Sequence, residues 1–379
     1  MNIVIAPDSL KECLTATQVA AAISEGIRRV VPEAGMVCIP MADGGEGTVD
    51  ALVTATGGKI VTLASVDALN RPVQSFYGIL GDGKTAVIEM AAASGLELLE
   101  PDERNPLITS TFGTGLLLKA AIEAGFTQII LGIGGSATND GGAGMAQAMG
   151  FGLLDKNGNP IGPGGGSLER LYRIDRSTIH PQLQNVKITV ACDVRNPLLG
   201  SSGATFVYGP QKGATAEMLK SLENNMAHFA RILQMEFGRD VSNLPGAGAA
   251  GGLAAGLMVF CRAEISSGFE LINKLTRLEE QIRLASLVFT AEGKIDSQTA
   301  YGKTVSGVAR LAKKYQVPVI ALAGAVTDDL TELYNQGVTS AFAIGDQPMT
   351  LEESKSRAAE LLAGTSERVM RMVLSLKNK

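Results

Sequence analysis

Short runs of β-branched and other apolar residues alternate with segments of helical spacing along most of this chain. That alternation constrains the fold more than any other feature. Strands are expected at Asn2–Ala6, Met36–Met41, Gln128–Ile133, Lys187–Ala191, Ser286–Thr290, Val317–Ala323 and Ser340–Ile344. Several are apolar at nearly every position, the pattern of strands covered on both faces. Helices are expected at Thr15–Val31, Gly113–Ala124, Ala216–Phe237, Thr304–Lys314 and Leu351–Leu376. In the first of these Thr15 stands as the N-cap, and Val19, Ala22, Ile23, Ile27 and Val30 follow the 3.6-residue period. Such alternation specifies an α/β fold with parallel strands.

The stretch from Lys59 to Glu97 departs from the pattern. Ile60–Ser65, Val73–Leu80 and Thr85–Ala92 read as strands with no helix between them, hence as antiparallel hairpins. An antiparallel patch inside a parallel-type chain points to an insertion. The expected architecture is a discontinuous parallel α/β domain, 1–45 plus 285–379, with a mixed-sheet α/β domain, 46–284, inserted into it. A length of 379 residues suits two domains of roughly 100–200 residues each.

Ligands of open α/β sheets bind beyond the carboxyl ends of the strands. The residues found there are Pro7-Asp8-Ser9-Leu10-Lys11, Ala42-Asp43-Gly44-Gly45-Glu46-Gly47-Thr48, Gly134 to Gly142, Cys192-Asp193-Val194-Arg195, Ala291 to Ser297, Gly324 to Asp329, and Gly345-Asp346. Carboxylates recur among glycine, hydroxyl and cationic residues. The chain holds 45 glycines in 379 residues, against an average near 7%. They follow no three-residue period, so a collagen-like chain is excluded. Glycine lets backbone approach a phosphate, helix N-termini present donors to it, and carboxylates hold Mg²⁺ through one or two oxygens. Phosphoryl transfer uses all of these parts.

Other classes fit less well. A formal net charge of −5, with no basic stripe, argues against nucleic-acid binding. The four cysteines are widely spaced and only His180 and His228 accompany them, so no zinc cluster forms by spacing. The same scarcity of histidine leaves acid–base chemistry to carboxylates and lysines. No run approaches the roughly 18 apolar residues of a membrane span. Met1 to Asp8 reads as a strand, not a signal peptide, and a cytoplasmic location is expected.

Three glycine motifs have competing readings. Gly78 to Thr85 matches the Walker A pattern, but Ala86-Val87-Ile88-Glu89-Met90 reads as a strand where a P-loop needs a helix. A hairpin turn at Asp82-Gly83 is expected instead. Gly132 to Ala137 fits a dinucleotide fingerprint with Asp155 near the acidic position. The polar loop Thr138 to Gly142 that follows favours an anion or metal site. An NAD(P)-linked 2-hydroxy acid oxidoreductase is the alternative this motif carries. Gly246 to Gly251 suits close helix packing or phosphate contact equally.

Taken in order, Ala6 to Lys11, Ala42 to Thr48, Glu89 to Leu96, Gly132 to Met145, Ala191 to Val194, Gly209 to Ala214, Gly246 to Gly252 and Glu292 to Gln298 resemble the bacterial glycerate kinases. Leu10 stands where that family has Phe or Tyr, and Lys294 where Arg is common. The resemblance implies two interlocked α/β domains, one flavodoxin-like, with ATP and Mg²⁺ as cofactors. It implies D-glycerate as substrate and, for close enteric-type members, 2-phosphoglycerate as product. Residue chemistry alone leaves the 2- or 3-hydroxyl open, and likewise monomer or homodimer.

Roles within this scheme follow from residue chemistry. Asp193, Glu292, Asp296 and Lys11 form the expected catalytic set, one carboxylate taking the hydroxyl proton. Substrate and phosphate contacts are expected from Asp8, Ser9, Gly44, Gly45, Gly47, Thr48, Gly134, Gly135, Ser136, Thr138, Arg195, Lys212 and Lys294. Arg195 is suited to clamp a carboxylate bidentately. Asp43, Glu46, Asn139 and Asp140 are the expected metal ligands. In-line transfer in an interdomain cleft is the expected mechanism.

Overall fold

The described residues form thirteen strands, in chain order β1 (Asn2–Ile5), β2 (Gly35–Cys38), β3 (Lys59–Val66), β4 (Pro72–Ile79), β5 (Thr85–Glu89), β6 (Gln128–Gly132), β7 (Gly152–Leu154), β8 (Arg173–Asp175), β9 (Lys187–Ala191), β10 (Glu264–Ser266), β11 (Leu287–Ile295), β12 (Val319–Val326) and β13 (Ser340–Ala343). They belong to a computed structural model that describes residues 1–10, 12–42, 44–301, 304–327 and 329–377. The chain divides into two units, one of Met1–Asp43, Asp50–Gly57 and Phe269–Lys379, the other of Gly44–Val49 and Gly58–Gly268.

The first unit carries a sheet ordered β2-β1-β11-β12-β13, every neighbouring pair parallel. Counted within that sheet the order is that of flavodoxin-like folds, in which ligands sit at the carboxyl ends near the strand-order switch. Ile3, Ile5, Phe289 and Leu322 pack against Ile23 and Ile27 of the helix Ala16–Arg28 and Leu362 of the helix Ala358–Lys377. Ala321 and Ala323 belong to the opposite core, with Val305, Ala309 and Leu333. Both faces are therefore buried, which explains the near-continuous apolar runs. Thr15 caps the first helix: its hydroxyl accepts from Gln18 N–H at 3.2 Å, and Gln18 Oε1 accepts the Thr15 N–H at 2.9 Å.

The second unit carries a sheet ordered β10-β9-β6-β5-β4-β3 and the small hairpin β7-β8. β10, β9, β6 and β5 are parallel, whereas β5-β4 and β4-β3 are antiparallel. The mixed sheet expected around Lys59 to Glu97 is thus present. The Walker-like segment is the β4-to-β5 turn: Asp82 Oδ1 accepts the N–H groups of Lys84 and Thr85 at 2.8 and 2.9 Å, and strand β5 follows where a P-loop needs a helix.

Three expectations are corrected. β11 does not end at Thr290 but continues to Ile295, because β12 runs on beside it and pairs Glu292 with Ala323 and Lys294 with Ala325. The helix expected over Leu351–Leu376 is two helices, Leu351–Ser356 and Ala358–Lys377. Arg357 between them leaves helical geometry (φ −101°, ψ 5°) while its guanidinium holds Asp346 and Glu360, each at 2.9 Å. β5 stops at Glu89, and a short helix, Ala91–Ser94, takes up the rest of the expected strand.

Candidate functional site

In the second unit the carboxyl ends of β5, β6 and β9 lie side by side, and the segment Gly44–Val49 packs over them. Gly134 N–H donates to the Gly44 carbonyl at 3.0 Å. Gly44 has φ +90°, and a Cβ there would lie 2.4 Å from the Ala191 carbonyl oxygen at the end of β9. Only glycine satisfies both constraints. Thr48 Oγ donates to the Gly45 carbonyl at 2.7 Å and closes the turn. The helix Thr48–Thr56 starts here, and its Val49 N–H donates to Glu89 Oε1 at 2.5 Å. A carboxylate at the end of β5 thereby takes up an otherwise unbonded first-turn N–H. Glu46 is exposed at the tip.

The loop after β6 is anchored from several sides. Ala137 N–H donates to the Ser94 carbonyl at 2.9 Å. Lys212 is the largest fully buried side chain among those described, and its Nζ donates to Ser136 Oγ at 2.7 Å and to the Thr138 carbonyl at 2.6 Å. Burial pushes its pKa down from 10.5 to about 7, against the pull of the Asp140 carboxylate. Asp140 is itself buried. Its oxygens accept from Thr111 N–H (2.8 Å), Thr111 Oγ (2.9 Å), Gly142 N–H (3.0 Å) and Gly144 N–H (3.2 Å). Burial raises its pKa and these donors oppose the rise. Thr138 Oγ and Asn139 Oδ1 are buried with no hydrogen-bond partner among the described residues.

The dinucleotide fingerprint is not made here. The next helix opens only at Ala143, with Gly142 as its cap, and Asp155 sits in a turn accepting from Asn157 and Asn159 N–H. The third glycine motif serves packing: a Cβ at Gly251 would lie 2.0 Å from the Thr138 carbonyl oxygen. Beyond β9, Asp193 Oδ1 accepts the Gly268 N–H at 3.2 Å, and Arg195 is exposed.

In the first unit, Asp8 follows β1. Its Oδ1 accepts Ser9 N–H at 2.7 Å and its Oδ2 accepts Thr304 Oγ–H at 2.6 Å. On β11, Glu292 accepts Thr299 Oγ–H at 2.5 Å. Lys294 pairs with Asp296 at 3.0 Å, and with the Gln298 N–H it holds the Asp296 carboxyl below the ordinary range. Glu292 and Lys294 are therefore strand residues rather than loop residues. Lys11 and Asp43 lie outside the described residues.

Comparison with known proteins bears on these edges. The profile of the glycerate kinase family matches residues 3–374. The chain belongs to that family. Its relatives include a glycerate kinase of Halalkalibacterium halodurans, 52% identical over 378 residues and covering 100% of this chain and 99% of the relative. The glycerate 2-kinase of Escherichia coli is 50% identical, covering 97% of each chain. A crystal structure from Salmonella typhimurium LT2, assigned as a glycerate kinase 2, superposes with a TM-score of 0.90 at 46% identity over all of both chains. As a member of the glycerate kinase family the chain is a phosphotransferase, and its class implies a nucleotide substrate.

For a glycerate kinase the donor set can be tested against Mg²⁺. Among the described residues no group of three or more His, Cys, Asp or Glu side chains stands together as a metal site. Asp140 is engaged by four donors and anchors the loop after β6. Glu46 is exposed on Gly44–Val49 and fits a cation that takes one or two carboxylates and completes its shell with phosphate and water. Among the described residues no helix is long and apolar enough to cross a membrane.

Sequence reasoning missed Glu89, Thr111, Thr299 and Thr304. Glu89 had a signal, as the one charge in the apolar run Thr85 to Met90. The threonines had none, since their partners lie 29, 7 and 296 residues away.

Proposed function

We propose that this glycerate kinase transfers the γ-phosphoryl group of ATP to the 2-hydroxyl of D-glycerate, giving 2-phosphoglycerate. The observation that carries the reading is the anchored glycine edge of the second unit, where Gly44, Gly45, Gly134 and Gly135 present backbone at parallel strand ends. The regiochemistry rests on the name of the Escherichia coli relative.

In this reading the backbone of Gly45, Gly47 and Gly135 and the hydroxyls of Ser136 and Thr138 take phosphate oxygens, while Gly44, Thr48 and Gly134, bonded within the edge, hold its shape. Lys212 holds Ser136 and Thr138 in position from beneath. Arg195 binds the glycerate carboxylate, and Asp193 accepts the proton of the attacking hydroxyl. Lys294 and the Gln298 N–H hold the Asp296 carboxyl below the ordinary range, which disfavours it as a base. Asp8, Ser9, Lys294 and Glu292 remain proposed contacts on the first unit. Glu46 would hold Mg²⁺, which when bound neutralises charge on the phosphate oxygens. Positioning and fixed dipoles carry most of the barrier reduction in this reaction class.

ADP formation from ATP, Mg²⁺ and D-glycerate tests the reading. Substrate-dependent ADP that falls on replacing Arg195 with Ala, mainly through a higher KM for glycerate, is expected. No glycerate-dependent ADP would refute it.

A further inference from the structure

We propose that the second unit holds a binding site for a small amphipathic anion, a carboxylate or phosphate carried on an apolar ring or chain. The site is a cavity of about 420 Å³. Its wall includes Phe151, Phe237 and Phe260, with ring centroids 4.8 Å apart for Phe151 and Phe260 and 5.4 Å for Phe237 and Phe260. Its polar lining includes Arg176, His180 and Arg262.

These three polar groups are not equivalent. Arg176 stacks on the Phe237 ring at 4.0 Å, and its carboxylate neighbour is Glu236 at 3.7 Å. His180 lies 3.9 Å from Glu123. Arg262 is exposed and has no ion-pair or hydrogen-bond partner among the described residues. Its backbone is left-handed, at φ +54°, a conformation that costs an L-residue free energy and clusters at functional sites. An unpaired guanidinium held at the mouth of an aromatic cavity is complementary to a ligand with one anionic end and one apolar end.

The cavity is separate from the glycine edge. Val186, which lines it, immediately precedes β9, whereas Asp193 and Arg195 follow that strand. Five strand residues at about 3.3 Å each put roughly 16 Å between the two ends. The site is therefore additional to the proposed catalytic residues.

Phenyl phosphate and benzoate, titrated calorimetrically into the full chain, distinguish the two anionic head groups, and benzyl alcohol is the neutral control. Saturable binding of at least one anion, weaker for benzyl alcohol by about tenfold or more, is expected. Arg262→Gly removes the guanidinium and relieves the left-handed backbone, so the variant should be at least as stable as the parent. It should weaken anion binding by about tenfold or more. Absence of saturable anion binding, equal binding of benzyl alcohol, or anion binding unchanged in R262G would each overturn the proposal.

Discussion

Replacing Lys212 with Met removes a buried amine whose proton affinity differs sharply between the folded and unfolded chain. Folding lowers its pKa from 10.5 to about 7, because burial disfavours the ammonium more than Asp140 favours it. Between those values the unfolded chain binds a proton that the folded chain has released. The contribution of Lys212 to stability is therefore least favourable below about pH 7 and improves as pH rises toward about 10.5. One pKa unit corresponds to about 1.4 kcal/mol, and roughly two units lie between the folded pKa and about pH 9, so the gain from about pH 6 to about pH 9 is on the order of 3 kcal/mol. K212M lacks this gain. It also loses the bonds to Ser136 and Thr138, an offset present at both pH values that cancels from the comparison. Urea denaturation of both proteins at the two pH values measures the effect. Relative to K212M, the parent should gain on the order of 3 kcal/mol between about pH 6 and about pH 9. An unchanged difference would refute the neutral amine and the dominance of burial at this position.

Asp140→Ala strips four donors of their acceptor and should cost about 3 kcal/mol by urea denaturation, since buried groups left unpaired are expensive. Gly44→Ala forces a side chain into a left-handed backbone and against Ala191. A loss of about 1–3 kcal/mol is expected, with kcat/KM falling more steeply than stability. Asp193→Asn should lower kcat by roughly 10²–10⁴ with the urea midpoint nearly unchanged, as measured by ADP release. Thr15→Ala removes the capping hydroxyl and should cost about 1 kcal/mol without altering kcat.

The parallel strands were legible because burial on both faces writes an apolar residue at nearly every position, as in Val319 to Ala323. The Walker-like segment was also legible, because Ala86-Val87-Ile88 cannot serve as the polar-faced start of a phosphate-binding helix. The true end of β11 was not. Glu292 and Lys294 carry no strand signal of their own and are drawn into the ladder by the continuation of β12. β7, β8 and β10 have three residues each, too few for a period-2 pattern to register. Lys212 illustrates the limit at the site. Lys212 reads from the sequence as an anion contact, and the groups that accept from its buried amine lie 74 and 76 positions away. Asp140 reads as a metal ligand from the sequence, and two of its four donors come from Thr111, 29 residues away, which no local signal announces.

The proposed reaction transfers the phosphoryl group to the 2-hydroxyl of glycerate. Phosphorus NMR of a reaction of the unmodified protein with ATP, Mg²⁺ and D-glycerate tests it most directly. Loss of the γ-phosphate resonance matched by a growing 2-phosphoglycerate doublet, split by its single carbon-bound proton, is expected. A growing 3-phosphoglycerate triplet would contradict the assigned hydroxyl, and inorganic phosphate alone would contradict transfer to glycerate altogether.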